Sequence, residues 1–239
     1  MKLDYNEIEN NLLTLVMEKY YSKKNSVYLI NYNEYKIIAK VFNTSKHQFE
    51  FEVLNTLYKK SIPVPEPYSL VNQTIFMEYL KGETLMDIIN SNLPNKEKYL
   101  ESLSDFFSSI HNIKKEKMSL LKGDSSIRNF IYSTKIYGLD FEESSYGNPM
   151  KDIGGVIAQI LDSSPSFNDE KFYFSNYLLE KYLEKKYLYF SQIKLDFKEY
   201  LIKSLLFDAS FRPNQRDEIL KWVSRIKKDF DQIFDIQSQ

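Results

Sequence analysis

The alternation of apolar and polar positions divides the chain into a strand-rich first third and a helix-rich remainder. Apolar residues recur at helical spacing over residues 5–21, which predicts an N-terminal helix. Two apolar runs follow at 27–30 and 35–42. Because the connector 31–34 between them is short and polar, these runs predict a β-hairpin.

A second helical pattern covers residues 46–60. It has to end before residues 63–67, because the three prolines in that segment prevent a helix from continuing. The runs 68–71 and 74–79 then predict another pair of strands. The first third is therefore predicted to be a small antiparallel sheet with one main helix.

Beyond residue 82 the pattern becomes mostly helical, starting with residues 84–112. A loop-like stretch at 122–129 precedes two short strand patterns at 130–132 and 136–139. Further helices are predicted at 153–161, about 169–190, 196–207 and 215–234. A sheet-rich part joined near residue 80 to a helix-rich part predicts two lobes with a cleft between them.

Composition excludes several classes of protein. The 239 residues carry a net charge of -1, which gives no reason to expect a surface that is basic throughout. The sequence contains no cysteine and two histidines, which excludes disulfides and thiolate chemistry and makes a multi-histidine metal centre improbable. No apolar run approaches the roughly 18 residues of a membrane span, and the N-terminus lacks an apolar signal-peptide segment. We expect a soluble cytoplasmic protein.

Lys40 stands in the apolar strand pattern I-I-A-K-V-F, so its side chain needs an anionic partner if it is buried. Glu50 shares a helix face with Leu54 and Leu57 and therefore points toward the protein body. We predict a Lys40–Glu50 ion pair. The connection is short, so Glu52 remains an alternative partner.

Two further spots carry carboxylates. The loop G-D-S-S-I-R-N at 123–129 holds an aspartate and, five residues later, an asparagine. The segment L-D-F-E at 139–142 places an aspartate after an apolar strand pattern. Carboxylate and carboxamide oxygens suit Mg²⁺. Together with a lysine for phosphate, these groups are those that phosphoryl transfer requires.

In this order, the motifs resemble the protein-kinase-like superfamily, and more closely the branch of aminoglycoside phosphotransferases and choline kinases, with compact RIO-type kinases as near relatives. The resemblance runs from about residue 20 to residue 161 and is most specific at L-D-F-E-E-S-S-Y-G-N-P-M-K-D-I-G-G (139–155). It implies an α+β class and a bilobal protein-kinase-like fold. Residues 1–81 would form the N-terminal nucleotide-binding lobe, a small antiparallel sheet with one main helix. Residues 82–239 would form a mostly helical C-terminal lobe for catalysis and acceptor binding.

For the nucleotide, the resemblance implies that Lys40 contacts the ATP phosphates and is oriented by Glu50. Backbone groups of Glu78, Tyr79 and Leu80 would bind adenine. The expected nucleotide loop contains no glycine over residues 22–26, unlike the glycine-rich loop that cradles phosphates in protein kinases.

For catalysis, the resemblance implies that Asp124 orients or deprotonates the acceptor hydroxyl, while Asn129 and Asp140 hold Mg²⁺. Asp152 would be a structural acid that supports the loop carrying Asp124. For Glu142, a contact with metal or acceptor and a surface role remain equal alternatives.

The identity of the acceptor is open. Six basic residues flank the loop that carries the aspartate: Lys114, Lys115, Lys117, Lys122, Arg128 and Lys135. They are either ordinary solvated charges or phosphate contacts for a polyanionic acceptor. Lys122 stands where family members usually have histidine. The chain also resembles compact archaeal-type kinases that phosphorylate an RNA ribose 2′-hydroxyl, so an RNA acceptor such as tRNA is slightly favoured.

Other functions remain as alternatives. One is a small-molecule kinase of the aminoglycoside phosphotransferase or choline kinase type, although an acidic C-terminal cluster for a cationic acceptor is not evident in the sequence. A RIO-like Ser/Thr protein kinase is disfavoured by the absence of an A-P-E segment. A non-catalytic pseudokinase is disfavoured because Lys40, Asp124, Asn129 and Asp140 are all present.

Overall fold

The computed structural model describes residues 3–236, which divide into two compact units. Unit 1 consists of the chain up to Gly82 together with Tyr137–Glu142. Unit 2 consists of Glu83–Ile136 and the chain from Glu143 onward. The sequence predicts a single boundary after residue 81, so it does not foresee the return of 137–142 to unit 1.

Unit 1 is built on an antiparallel sheet of five strands in the order β1-β2-β3-β5-β4. The strands are β1 (Val16–Tyr20), β2 (Ser26–Tyr32), β3 (Tyr35–Val41), β4 (Pro67–Val71) and β5 (Thr74–Glu78). Alternate residues of the central strands, including Ile30, Ile37, Ala39 and Phe76, pack into one apolar core with Ile8. The period-two alternation of the sequence therefore decides which face of the sheet is buried.

The helix predicted over residues 5–21 is wrong in its second half. Two short helices, α1 (Tyr5–Asn10) and α2 (Leu12–Leu15), are followed directly by strand β1. Val16 and Lys19 of β1 pair with Ile30 and Tyr28 of β2. Backbone pairing across the sheet thus overrides a local spacing that suits a helix.

The other helix of unit 1, α3 (His47–Lys59), follows β3. Its buried face consists of Glu50, Leu54 and Leu57. Because Glu50 lies on the apolar face of the helix, its carboxylate is buried in the interior of the unit.

Unit 2 is mostly helical. Its elements are β6 (Glu83–Thr84), α4 (Leu85–Asn90), α5 (Glu97–His111), β7 (Lys114–Lys115), β8 (Met118–Leu121), β9 (Phe130–Tyr132), β10 (Ile136–Gly138, where the chain passes to unit 1), β11 (Ser145–Gly147), α6 (Met150–Leu161), α7 (Asp169–Lys186), α8 (Phe190–Phe211) and α9 (Arg216–Ile233). Helix α5 packs on α7, and α6 packs on α8. Gly154 permits the second contact, because a Cβ there would lie 2.7 Å from the backbone N of Leu201.

A small antiparallel sheet in the order β11-β8-β7 was not predicted from the sequence. Its strands have two to four residues, too few for a clear alternation. Strand β8 leads directly into the loop that contains Asp124.

The prediction of an α+β fold is confirmed, with the five-stranded sheet in unit 1 and most helices in unit 2. Among residues 3–236, none of the helices combines the length and the apolar character needed to cross a bilayer.

Candidate active site

Lys40 lies on β3 with its side chain buried between two carboxylates. Its Nζ donates to Glu50 Oε2 at 2.7 Å and to Asp140 Oδ1 at 2.8 Å. Burial disfavours the ammonium, but Glu50 and Asp140 outweigh burial and raise the pKa of Lys40. The predicted pairing with Glu50 is present in the structure. The alternative partner, Glu52, is exposed and accepts instead from Gln48 Nε2 at 2.7 Å.

Asp140 has a left-handed backbone, with φ of 60°. A non-glycine residue in that region is strained and is held there by its surroundings, here by the ion pair with Lys40. Carboxylate oxygens of Glu50, Asp140 and Glu142 lie within 4.8 Å of one another. This all-oxygen donor set, next to a buried ammonium, fits a hard cation that accompanies a phosphate.

Burial raises the pKa of the Glu50 carboxyl group, with Lys40 opposing the shift and Asp140 adding to it. Two carboxylates thus contact one ammonium, and a cation that joins Glu50, Asp140 and Glu142 would stabilise their ionised forms.

Glu142 is buried, which excludes the surface role left open by the sequence. Its Oε2 accepts from Asn25 Nδ2 at 3.0 Å, and its Oε1 lies 3.1 Å from Lys24 Nζ. Both partners come from the glycine-free loop between β1 and β2. Sequence reasoning missed these contacts because the partners are more than a hundred residues away along the chain.

The segment expected to bind adenine begins at the end of β5. The Glu78 N–H donates to the Glu66 carbonyl at 2.9 Å, so this donor is already used within unit 1. Leu80 is buried, and the Tyr79 ring lies 6.0 Å from Lys36 Nζ. Adenine binding by backbone groups of residues 78–80 remains a prediction.

In unit 2, the loop after β8 presents Asp124 to solvent. Asp124 Oδ1 accepts from the Ser126 N–H at 3.1 Å, which orients the carboxylate. Asn129 ends a short 3₁₀ helix and is half-buried. Thus Asp124 and Asn129 belong to unit 2, whereas Lys40 and Asp140 meet within unit 1.

Asp152 on α6 supports this loop from below, as the resemblance implied. Its buried carboxylate accepts from the N–H groups of Lys122 (2.7 Å) and Gly123 (3.1 Å) and from Ser125 Oγ (3.0 Å). Burial alone would raise the pKa of Asp152, but its bond with His111 and these backbone N–H groups lower it. Asp152 is therefore an ionised structural anchor.

His111 completes the anchor. Its ring is buried, with Nε2 3.2 Å from Asp152 Oδ2 and Nδ1 2.9 Å from the Tyr182 hydroxyl. Burial lowers the pKa of His111 although Asp152 opposes the shift, so the ring is neutral. The histidine thus ties α5, α6 and α7 together beneath the loop.

The expectation that Lys122 contacts the acceptor is wrong. Its side chain is fully buried, donates to the backbone carbonyl of Asp124 and lies 5.3 Å from the centre of the Phe130 ring. An ammonium enclosed beneath the loop holds the backbone of Asp124 and cannot reach a bound acceptor.

The other basic residues of the flank are exposed: Lys114, Lys115, Lys117, Arg128 and Lys135. Lys186 at the end of α7 joins them, since burial and the charge of Lys114 lower its pKa. Sequence reasoning missed Lys186, because it is remote along the chain from the β7–β8 hairpin.

An acidic pair that the sequence did not reveal lies between α6 and α8. Burial and the nearby Asp208 raise the pKa of Asp162 to about 8, and Arg212 Nη1 lies 2.9 Å from Asp162 Oδ2. Gln159 Nε2 donates to Asp208 Oδ2 at 2.9 Å. Among smaller contributions, the charge of Asp124 raises the pKa of Asp208, so the pair lies within electrostatic range of the loop.

The sheet of unit 1, the buried Lys40–Glu50–Asp140 set and the anchored aspartate loop define a protein-kinase-like phosphotransferase. Residues 14–146 match the family model of the RIO domain, and the chain belongs to the RIO domain family. It is an ATP-dependent kinase.

Two curated relatives are similar in sequence. The EKC/KEOPS complex subunit BUD32 of Enterocytozoon bieneusi is 28% identical over 158 residues, which cover 62% of this chain and 78% of the relative. The protein of the same name from Encephalitozoon cuniculi is 32% identical over 92 residues, which cover 38% of this chain and 44% of the relative.

Solved structures share the fold at low sequence identity. The gentamicin complex of APH(2")-IIa superimposes with a TM-score of 0.62 at 16% identity, covering 98% of this chain and 99% of that one. Plasmodium vivax ethanolamine kinase gives a TM-score of 0.64 at 12% identity, covering 83% and 75%. These likenesses confirm the protein-kinase-like fold.

Proposed function

We propose that this kinase transfers the ATP γ-phosphoryl group to a hydroxyl of an RNA, with a tRNA ribose 2′-hydroxyl as the favoured acceptor. The observation that carries phosphoryl transfer is the buried Lys40 ammonium between Glu50 and Asp140. Lys40 would bind the α- and β-phosphates, Glu50 would orient it, and residues 78–80 would bind adenine.

Asp124 would orient the acceptor hydroxyl and take its proton. Its exposure and its hydrogen bond from the Ser126 N–H support this role, because the carboxylate is both accessible and oriented. Asp140 and Asn129 would be the Mg²⁺ ligands. Glu142 is a further candidate, since its oxygen lies close to that of Asp140. The metal would neutralise phosphate charge.

The basic β7–β8 hairpin supports an RNA acceptor. Lys114, Lys115 and Lys117 are exposed on the element that leads into the Asp124 loop. Lys115 Nζ also lies 5.8 Å from the centre of the exposed Tyr146 ring, so cationic and aromatic groups are adjacent on one surface. Phosphate contacts with stacking platforms are typical of single-stranded RNA recognition.

The direct test uses γ-labelled ATP with total tRNA, choline, an aminoglycoside panel and a generic protein as acceptors. We expect label in tRNA. The label should be absent when the 2′-hydroxyl that accepts it is replaced by hydrogen. Label in a small alcohol or in protein, with none in tRNA, would contradict the proposed acceptor.

Variants of the hairpin test how RNA is held. Replacing Lys114, Lys115 and Lys117 with glutamine should weaken RNA binding and reduce its salt dependence by about one unit of slope for each phosphate that is no longer bound. The matched control replaces the exposed lysines of α9, namely Lys221, Lys227 and Lys228, and makes the same change in charge. If both triple variants weaken RNA binding equally, the loss reflects the overall charge of the protein and not contacts made by the hairpin.

A small cationic alcohol is the second candidate acceptor, and the Asp162–Asp208 pair favours it. Asp162 is buried and, with a pKa of about 8, mostly protonated at neutral pH, so the half-buried Asp208 is the carboxylate that would attract an ammonium and repel RNA phosphates. If this candidate is correct, Asp208→Asn should raise the KM for that alcohol and leave tRNA labelling absent. Retained tRNA labelling by Asp208→Asn would support RNA.

The names of the two relatives describe subunits of a complex. We therefore propose that this chain also works as a subunit of an EKC/KEOPS-type assembly. Purification of the tagged chain from its own cells, followed by mass spectrometry, should recover further subunits in fixed stoichiometry. Recovery of the chain alone would contradict this proposal.

A further inference from the structure

The loop between β1 and β2 keeps a defined shape although residues 22–25 include no glycine. Its Asn25 side chain is buried, and the Asn25 N–H donates to Ser22 Oγ at 3.2 Å. Asn25 Oδ1 accepts from the Asn43 N–H at 3.3 Å, and Asn43 Nδ2 donates to the Lys24 carbonyl at 2.8 Å. Side chains thus close a turn that glycine would otherwise make.

Glu142 fastens this loop to the segment that carries Asp140. One carboxylate oxygen accepts from Asn25 Nδ2, and the other pairs with Lys24 Nζ. Because Glu142 is buried, removal of both partners would leave an unpaired charge in the interior. This distinguishes the contact from an ordinary surface ion pair, whose contribution is small.

The loop therefore brings a second ammonium to the carboxylates around Lys40. Lys24 pairs with Glu142, while Lys40 pairs with Glu50 and Asp140, and oxygens of the three acids lie within 4.8 Å of one another. The Lys24 side chain is 56% exposed, against 8% for Lys40. Lys24 is therefore the more accessible of the two ammonium groups to an incoming anion.

We propose that Lys24 is a second phosphate-binding residue of the nucleotide site, and that Glu142 is the positioning residue that holds its loop. A glycine-rich loop offers backbone N–H groups to phosphate. Here the ammonium of Lys24 would bind phosphate in their place. Glu142 would hold the Lys24 ammonium near Asp140 until a phosphate replaces the Glu142 carboxylate as its partner. The inference rests on the proposed nucleotide site.

The first experiment measures the Kd values of Mg-ATP and of adenosine by calorimetry. Lys24→Met should weaken Mg-ATP binding about tenfold, as expected when one charge-assisted bond is removed, and leave adenosine binding unchanged. Lys23→Met is the matched control, since Lys23 is the exposed neighbouring lysine of the same loop.

If Lys24→Met and Lys23→Met bind Mg-ATP equally well, the role of Lys24 is overturned. If the wild-type chain binds adenosine and Mg-ATP with the same Kd, the phosphates add no affinity. The inference then fails, while adenine binding stands. Absence of all nucleotide binding by the wild-type chain would overturn the proposed function and the inference together.

The second experiment follows hydrogen exchange of the amides in residues 22–27. Glu142→Ala should speed their exchange about tenfold or more, because Asn25 loses its buried acceptor. Glu142→Gln retains an amide oxygen for Asn25 and should restore protection. Unchanged exchange in helix α8 shows that the variants are folded. Equal loop exchange in wild type and Glu142→Ala would overturn the positioning role.

Discussion

The two aspartates with proposed roles, Asp124 and Asp140, differ in their surroundings. Asp124 is exposed and is oriented by a backbone N–H, so its carboxylate can face an acceptor. Asp140 is half-buried, strained in its backbone and bonded to Lys40. We propose that Asp140, beside Lys40, controls nucleotide and metal, and that the exposed Asp124 acts on the second substrate.

Substitution should separate these roles. Asp124→Asn should lower turnover by about 10² to 10⁴ and leave Mg-ATP affinity nearly unchanged, because the amide cannot take a proton. Asp140→Ala should weaken Mg²⁺-dependent ATP binding, because the phosphate charge loses its clamp. Titration of both variants with ATP, with and without Mg²⁺, measures this. Equal loss of binding in both would show that the roles are wrongly divided.

Gly123 determines the conformation of the Asp124 loop. Its φ is 89°, and a Cβ would lie 2.0 Å from the Glu143 carbonyl oxygen. Any side chain must therefore displace the loop backbone.

Gly123→Ala should lower turnover at least as much as Asp124→Asn and also reduce thermal stability. Gly155→Ala is the control, since its Cβ would meet Ser125 Cβ at an ordinary 3.5 Å. Steady-state kinetics and thermal melts compare the two. A Gly123→Ala variant with normal turnover would contradict the geometric argument.

Residue-level prediction succeeded where the partner lies on a neighbouring element. The Lys40–Glu50 pair follows from a strand, a short connection and one helix face. The burial of Glu142 and of Lys122 could not be predicted, because their surroundings come from remote segments or from the folded loop itself.

At the scale of elements, the C-terminal end of α4 is held by two buried lysines. Lys171 Nζ donates to Asn90 Oδ1 at 2.6 Å and to Ser163 Oγ at 2.8 Å, and Lys96 Nζ donates to the Ile89 carbonyl at 3.1 Å. Cations at a helix C-terminus satisfy its last carbonyls. Burial lowers the pKa of Lys171 to about 8, with the charge of Glu170 opposing this shift and that of Lys96 adding to it.

This shift predicts a pH dependence of stability. Between pH 8 and 10.5 the unfolded chain keeps a proton on Lys171 that the folded chain has released, so the free energy of unfolding rises with pH. Denaturant unfolding from pH 7.5 to 9.5 should show this rise in the wild type and a smaller rise in Lys171→Met. Identical pH profiles would show that the Lys171 pKa is not lowered.

Helical patterns located most of the long helices but not all of their ends. Helices α6, α7 and α9 were predicted close to their observed bounds, because amphipathic patterns are clear. Helix α8 is longer than the predicted 196–207, and the single pattern at 84–112 covers both α4 and α5. Strand β1 was assigned to a helix, and β7, β8 and β11 were missed. Their pairing partners, and not their own few residues, determine their conformation.

At the scale of the whole molecule, the residues proposed for phosphoryl transfer come from both units. Unit 1 carries Lys40, Glu50 and Asp140, and unit 2 carries Asp124 and Asn129. The order of these residues along the sequence predicted the fold, because each motif has a fixed place in a kinase-like chain. The acceptor was not predictable from the same motifs, since they serve many substrates.

Lys40 and its carboxylates are proposed to form the ATP site, on which every other role assigned here depends. Calorimetric titration of Mg-ATP into the wild-type chain, Lys40→Met and the control Lys59→Met, an exposed lysine of α3, tests it most directly. We expect the wild type and Lys59→Met to bind with the same affinity, and Lys40→Met to bind at least about tenfold more weakly. Equal Mg-ATP affinity of Lys40→Met and wild type would contradict the account.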